Sequence, residues 1–377
     1  MRFACIEYNT KSGGIWAHKP ELPNYLADHQ REIDATSYGT WTSALEGEHV
    51  PLSWFIEAKR GPGVGEKYRL GIRIKLKLNA RRGRPLIEFS NLDYADRFDA
   101  VLICFHPYGY KLMTELVQAL RERFPKLVII GTHATFGLGL LREHWKSKEW
   151  FSSFRTFMDA CDVFAVANRE AVGYLSLISE TPVQFLPHFY PLEYALQFGS
   201  GDEPKDKTIF VAGDTSRGDV VWGCLLAKEI QSRHPEFVIQ VIGSESFNYV
   251  ALEGSRYEVL PRTGWTEYLH TVAKSFLVIN TDVQWTNGRV QSDCAAMMTP
   301  CLGVNAGWQT ELFPELAIPE FEGSDQAMEL ADKLIASEDY YTSVSKFAFE
   351  KISGWSYPNG NRKVREVVAE VQAARGS

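Results

Sequence analysis

Residues 287–307 read Asn-Gly-Arg-Val-Gln-Ser-Asp-Cys-Ala-Ala-Met-Met-Thr-Pro-Cys-Leu-Gly-Val-Asn-Ala-Gly, and their order decides the fold. Asn287 is a good helix cap, and Gly288 leaves the first N–H groups of the following helix open to an anion, where the helix dipole favours negative charge. A helix is expected over Arg289–Met298 and a short buried strand over Cys301–Val304. Moving outward, the same alternation repeats. Upstream lie strand Phe276–Asn280, helix Thr266–Ala273, strand Tyr257–Leu260, a short helix, strand Phe237–Ile242, helix Val220–Arg233 and strand Thr208–Ala212; downstream comes helix Ser324–Ala336. Strands alternating with helices predict a parallel, doubly wound sheet.

The polar stretch Gly199–Lys207 has a linker's composition, and before it the pattern occurs once more. Strands are expected at Ala100–Phe105, Leu127–Gly131, Val163–Ala167 and Val183–Leu186, with helices over Lys111–Arg123 and Asn168–Ile178. The expectation is therefore an α/β chain with two Rossmann-like doubly wound domains facing across a cleft. Residues 1–198 form the first and 206–355 the second, and a terminal helix follows over 356–377. A length of 377 residues suits two domains, and 45% hydrophobic with 23% charged residues is a globular balance. The six cysteines are scattered with no C-x-x-C pair, which argues against a disulfide framework or a zinc site and for a reducing cytoplasm. No apolar run approaches the ~20 residues that cross a bilayer, and no signal peptide opens the sequence. Nucleophile triads, metal clusters, Walker loops and paired glycosidase carboxylates are likewise not found in it.

Charge is unevenly placed. The chain carries −7, yet residues 59–84 hold ten Lys/Arg against one acid, a local +9 that leaves −16 on the rest. Within that strip, residues 67–78 alternate strictly, with Tyr68, Leu70, Ile72, Ile74, Leu76 and Leu78 on one face. Lys67, Arg69, Arg73, Lys75 and Lys77 share the other face, and Arg81, Arg82 and Arg84 follow in a turn. Two readings stand side by side: an edge strand kept from pairing by its lysines, and a strip that binds a polyanion. That all eight charges share one sign favours the second.

The second half resembles, strand by strand, the donor domain of retaining GT-B glycosyltransferases, the large family that includes sucrose and glycogen synthases; the likeness covers roughly residues 98–370. By that resemblance Gly213, Arg217 and Gly218 would meet the donor diphosphate, with Asp214 standing where the family has arginine. Gly264 and Trp265 would lie beside the nucleotide base, although Trp265 read alone is a half-buried aromatic at a helix start. Asn287 and Gly288 would open the phosphate-binding helix, and Asp293 falls where a glutamate binds the ribose hydroxyls. The family's other acid corresponds to Trp285, so the contact to the donor sugar is either absent or supplied by another residue such as Asp282. In the first half Gly13 and Gly14 match the family's glycine loop, and His133 matches the histidine near the reacting carbon; His188 stands in place of the hinge asparagine. His133 and Asp293 are the implied catalytic pair.

What the resemblance implies is transfer of a sugar from a nucleotide-sugar, a UDP-sugar, to a hydroxyl, with no divalent metal required. The basic strip suggests double-stranded DNA as acceptor, as in the phage GT-B enzymes that glycosylate 5-hydroxymethylcytosine, with Trp16, Tyr38 and Trp41 available to fill the gap left by a flipped base. Two alternatives remain: transfer to a bacterial surface or lipid-linked glycan, and a non-catalytic nucleotide- or DNA-binding protein.

Overall fold

The computed structural model describes residues 1–7, 16–17, 38–52, 55, 89, 91–105, 110–133, 147–199, 201, 203–212, 219–243, 250–261, 263–282, 289–320 and 322–376. The chain divides into two compact units, residues 1–189 with 357–377, and residues 190–356.

Unit 1 is built on strands β1 (Phe3–Glu7), β2 (Trp16–Ala17), β3 (Glu48–Pro51), β4 (Ala100–Phe105), β5 (Val128–His133), β6 (Val163–Val166) and β7 (Val183–Phe185). They form one sheet in the order β2-β3-β1-β4-β5-β6-β7, parallel throughout except for β2 against β3. Every residue of β4, β5 and β6 is buried, which is why these strands read as unbroken apolar runs rather than alternations. Helices α1 (Tyr38–Ala44), α2 (Tyr110–Arg123), α3 (Lys148–Asp159) and α4 (Glu170–Leu175) cover the sheet. The sequence reading did not assign α3. It opens where Ser147 Oγ accepts the Trp150 N–H at 3.3 Å, and it buries Trp150, Phe154, Phe157 and Met158 at helical spacing. The Phe105 ring of β4 meets three of these, with centroids 5.2 Å from Trp150 and 5.0 Å from both Phe154 and Phe157.

Unit 2 holds β8 (Asp206–Val211), β9 (Val238–Ile242), β10 (Tyr257–Leu260), β11 (Ser275–Asn280), β12 (Cys301–Val304) and β13 (Ala317–Ile318), all parallel. Their order is β10-β9-β8-β11-β12-β13, the 3-2-1-4-5-6 arrangement of a dinucleotide-binding sheet. Around it lie α5 (Leu192–Ala195), α6 (Asp219–Arg233), α7 (Trp265–Lys274), α8 (Arg289–Ala296), α9 (Trp308–Leu312), α10 (Ser324–Ala336) and α11 (Glu338–Ser353). Helix α8 stops two residues earlier than expected, and Met298 beyond it takes a left-handed φ of 48°. Lys205, just before β8, donates from Nζ to Ala273 O (2.6 Å), Met297 O (3.0 Å) and Thr299 Oγ1 (2.9 Å). One ammonium thus satisfies carbonyls at the C-terminal ends of both α7 and α8.

The final helix, α12 (Tyr357–Gly376), returns to unit 1. It buries Tyr357, Gly360, Val364, Val367 and Val368, and Asn361 Nδ2 donates to Ala44 O at 2.8 Å. Gly360 lets it approach closely: a Cβ there would lie 2.2 Å from the Phe189 ring, which is itself wedged by Trp41 with centroids 4.9 Å apart. Helix propensity alone would make Gly360→Ala stabilising by about 1 kcal/mol. The clash outweighs it, because the ring is buried and packed against Trp41, so the expected result is a net loss of about 1–3 kcal/mol. A chemical-denaturation midpoint that stays put or rises would show that the ring can swing aside.

Candidate functional site

In a doubly wound sheet the ligand crevice forms where neighbouring strands send their connections in opposite directions. In unit 2 that point lies between β8, whose chain continues to β9 on one side, and β11, whose chain continues to β12 on the other. Helices α6 and α8 both begin shortly after the carboxyl ends of these strands, at 219 and 289, so two helix N-termini with their open N–H groups belong to this end of the sheet. The packing behind them is close: a Cβ on Gly223 of α6 would lie 2.9 Å from Val211 Cγ1 and 3.2 Å from Thr281 Oγ1. At the end of β11, Asn280 and Thr281 are buried, and the half-buried Asp282 donates its backbone N–H to Asn280 Oδ1 at 3.2 Å.

Of the residues expected here from sequence, Gly213, Arg217, Gly218, Asn287 and Gly288 lie outside the described residues. Gly264 is described and caps α7 in an extended conformation with φ −68°. A Cβ there would meet nothing within 4 Å, so neither backbone nor space requires a glycine.

Trp265 and Asp293 are brought together. The indole Nε1 donates to Asp293 Oδ1 at 3.0 Å, and the same oxygen accepts the hydroxyl of Tyr190 at 2.7 Å. Tyr190 had no place in the sequence reading. The rings interlock as well, Tyr190 meeting Trp265 edge-on at 6.1 Å and Tyr194 of α5 stacking on it at 5.9 Å. Asp293 is only 1% exposed, because its neighbours Gln291, Ser292, Cys294, Ala295 and Ala296 are buried too and α8 is enclosed. Burial raises the Tyr190 phenol well above its usual range and the Asp293 charge adds to this, so the hydroxyl stays protonated and keeps donating. The Tyr268 hydroxyl in α7 is also buried, and it has no hydrogen-bond partner among the described residues.

In unit 1, His133 ends β5 opposite Phe105 of β4, 6% exposed, with its ring 6.5 Å from that of Phe164. It therefore stands at the carboxyl end of a parallel strand, the end at which such sheets bind ligands. His188 packs its ring edge-on to Trp41 at 5.7 Å. Gly13 and Gly14 lie outside the described residues. So does the whole basic strip, with Lys67, Arg69, Arg73, Lys75, Lys77, Arg81, Arg82 and Arg84.

Among the described residues no cluster of three or more His, Cys, Asp or Glu could hold a metal ion, and no helix is long and apolar enough to cross a membrane. The six cysteines are buried free thiols.

No protein-family model matches the chain, and no curated protein matches it by sequence. Solved structures do match in three dimensions. An alpha,alpha-trehalose 6-phosphate synthase from Burkholderia multivorans aligns at 12% identity with a TM-score of 0.59, covering 100% of this chain and 98% of its own. Sucrose-phosphate synthase from Thermosynechococcus elongatus aligns at 12% with a TM-score of 0.58, over 99% and 100% of the two chains. UDP-GlcNAc 2-epimerase from Neisseria meningitidis, solved with UDP-GlcNAc bound, aligns at 12% with a TM-score of 0.58, over 98% and 100%. What this likeness shows is the fold: the chain has the GT-B fold, with two Rossmann-like α/β units each built on a largely parallel sheet.

Proposed function

We propose that this protein is a glycosyltransferase that binds a nucleoside diphosphate sugar, a UDP-sugar, at the switch point between β8 and β11 and transfers the sugar to an acceptor hydroxyl. The observation that carries the reading is the strand order of unit 2, with α6 and α8 both starting at that point. A diphosphate there would face open N–H groups and the positive ends of two helix dipoles. The same groups would stabilise the charge that builds on the diphosphate as the sugar leaves, and transfer of this kind needs little covalent help from the protein. Gly213, Arg217, Gly218, Asn287 and Gly288 are the proposed diphosphate contacts, with Gly264 and Trp265 toward the base and Asp282 toward the sugar. In unit 1 the proposed contributors are Gly13, Gly14 and His133, the last as a hydrogen-bonding group for the transition state.

The acceptor proposal rests on sequence. The strip 59–84 suits a polyanion, and 5-hydroxymethylcytosine in duplex DNA supplies both the phosphates and a free hydroxyl.

Calorimetry with UDP tests the donor half, with an expected Kd between about 1 μM and 1 mM. Absence of binding at millimolar UDP, together with no nucleotide release from any UDP-sugar, would sink it. For the acceptor, affinity for duplex DNA is expected to fall with salt, with a log–log slope of about 0.9 for each phosphate contacted. Binding that is absent at low salt removes DNA and turns attention to glycan acceptors.

A further inference from the structure

Asp293 sits in the helix where a ribose-binding carboxylate is expected, yet its surroundings fit another task. Gripping a vicinal diol requires a carboxylate that the ligand can reach. Here the side chain is 1% exposed, and Oδ1 already accepts from Tyr190 at 2.7 Å and Trp265 at 3.0 Å. Both donors are neutral, and they come from different parts of unit 2: Trp265 opens α7, while Tyr190 precedes α5. Tyr190 is also the first residue of unit 2. Its backbone N–H donates to Trp355 O at 2.9 Å, and it forms a parallel bridge with Ser356, the last residue before the chain returns to unit 1. The segments by which the chain passes into and out of unit 2 therefore touch at a single bridge, and Tyr190 reaches from that bridge to the middle of α8.

We propose that Asp293 is a positioning residue that holds α8 from inside the protein, and that Tyr190 makes this hold depend on the bridge between residues 190 and 356. The proposal rests on the donor reading above, since α8 is the helix whose N-terminus is to face the diphosphate. Two consequences separate it from a ribose contact. Loss of the anchor tilts the whole helix end, so it weakens UDP and 2′-deoxyuridine diphosphate alike, whereas loss of a ribose contact weakens only UDP. Tyr190 and Asp293 also act as one unit, so their effects do not add.

The test uses the full chain with Tyr190→Phe, Asp293→Asn and the double variant. It has two readouts: calorimetry with UDP and 2′-deoxyuridine diphosphate below the onset of unfolding, and ligand-free hydrogen exchange over residues 289–298 and 353–358. Tyr190→Phe keeps the ring and removes only the hydroxyl, so it remains informative if Asp293→Asn does not fold. The expected result is that Tyr190→Phe weakens both nucleotides together by about tenfold, the effect of losing one hydrogen bond to a charged group. The double variant should bind no more weakly than Asp293→Asn, and exchange should quicken in both segments. A variant Asp293→Asn that weakens UDP while leaving the deoxy compound untouched would overturn the proposal, as would unchanged exchange in Tyr190→Phe. A wild-type chain that binds neither nucleotide would defeat the donor reading alone, and the ligand-free exchange would still decide the coupling.

Discussion

Replacing Asp162 with alanine is expected to cost about 2–3 kcal/mol of stability, because it strips one strand N–H and two part-exposed arginines of a shared acceptor. Asp162 lies between α3 and β6 with its side chain 13% exposed. Its Oδ2 accepts from Arg121 Nη2 at 2.7 Å and from the backbone N–H of Ile129 at 2.7 Å, and its Oδ1 accepts from Arg375 Nη2. The two arginines are oriented by further bonds: Arg121 Nη1 to Leu127 O at 3.2 Å, Arg121 Nη2 to Ala160 O at 3.2 Å, and Arg375 Nη1 to Leu127 O at 3.3 Å. Alanine would leave two guanidinium groups without their anion and a strand N–H without its acceptor. The shape of the network makes the effect large, since isolated surface pairs contribute only about 0–1 kcal/mol. Urea unfolding with the signal from unit 1 measures it. A shift below about 1 kcal/mol would mean that water already screens the cluster. Arg375→Gln, which removes only the link to α12, should cost less than Asp162→Ala.

Lys205 is expected to contribute stability that grows with pH between about 8 and 10.5, so the wild type should gain on Lys205→Met across that window. This gain stands against the fall that buried thiols and phenols such as Cys161, Cys224 and Tyr190, which burial keeps protonated, impose on both proteins. Burial lowers the Lys205 ammonium from its ordinary 10.5 to about 8. In that window the unfolded chain binds the proton more tightly than the folded one, so raising the pH removes a proton that the folded state holds at a cost. The gain across the window is at most about 3 kcal/mol. At pH 7 two effects oppose each other: the buried charge is unfavourable, but its three bonds satisfy the ends of α7 and α8. Melting curves from pH 7 to pH 11 on both proteins check this through the difference between them, and a difference that does not change with pH would remove the Lys205 contribution.

Five of the six strands of unit 2 could be read within two residues, the buried β11 and β12 as the apolar runs that a covered parallel strand requires, while the two-residue β13 carries too little pattern to be read. Their spatial order rests on pairings between distant segments, and the resemblance rather than the residues pointed to it. Helix α3 has a clear apolar stripe, Trp150, Phe154, Phe157 and Met158, and is recognisable once that spacing is sought. Asp293 also carried a local signal. The run Cys-Ala-Ala-Met after it is apolar, and a carboxylate that opens such a run on an enclosed helix needs partners from within. Nothing local could name Tyr190, which lies 103 positions from Asp293. Sequence periodicity reports which face of an element is buried, not what another element brings to it.

Unit 2 is one uninterrupted stretch whose first and last residues, Tyr190 and Ser356, touch, whereas unit 1 is sewn from two pieces. During synthesis the ribosome makes all of unit 2 before it makes α12, the helix that packs beneath Phe189 and delivers Arg375 to Asp162. In chain order unit 2 is thus complete before the last piece of unit 1 appears. For the same reason residues 190–356 form a natural excision, and a cut at 189 would strip the first unit of the valines that α12 buries.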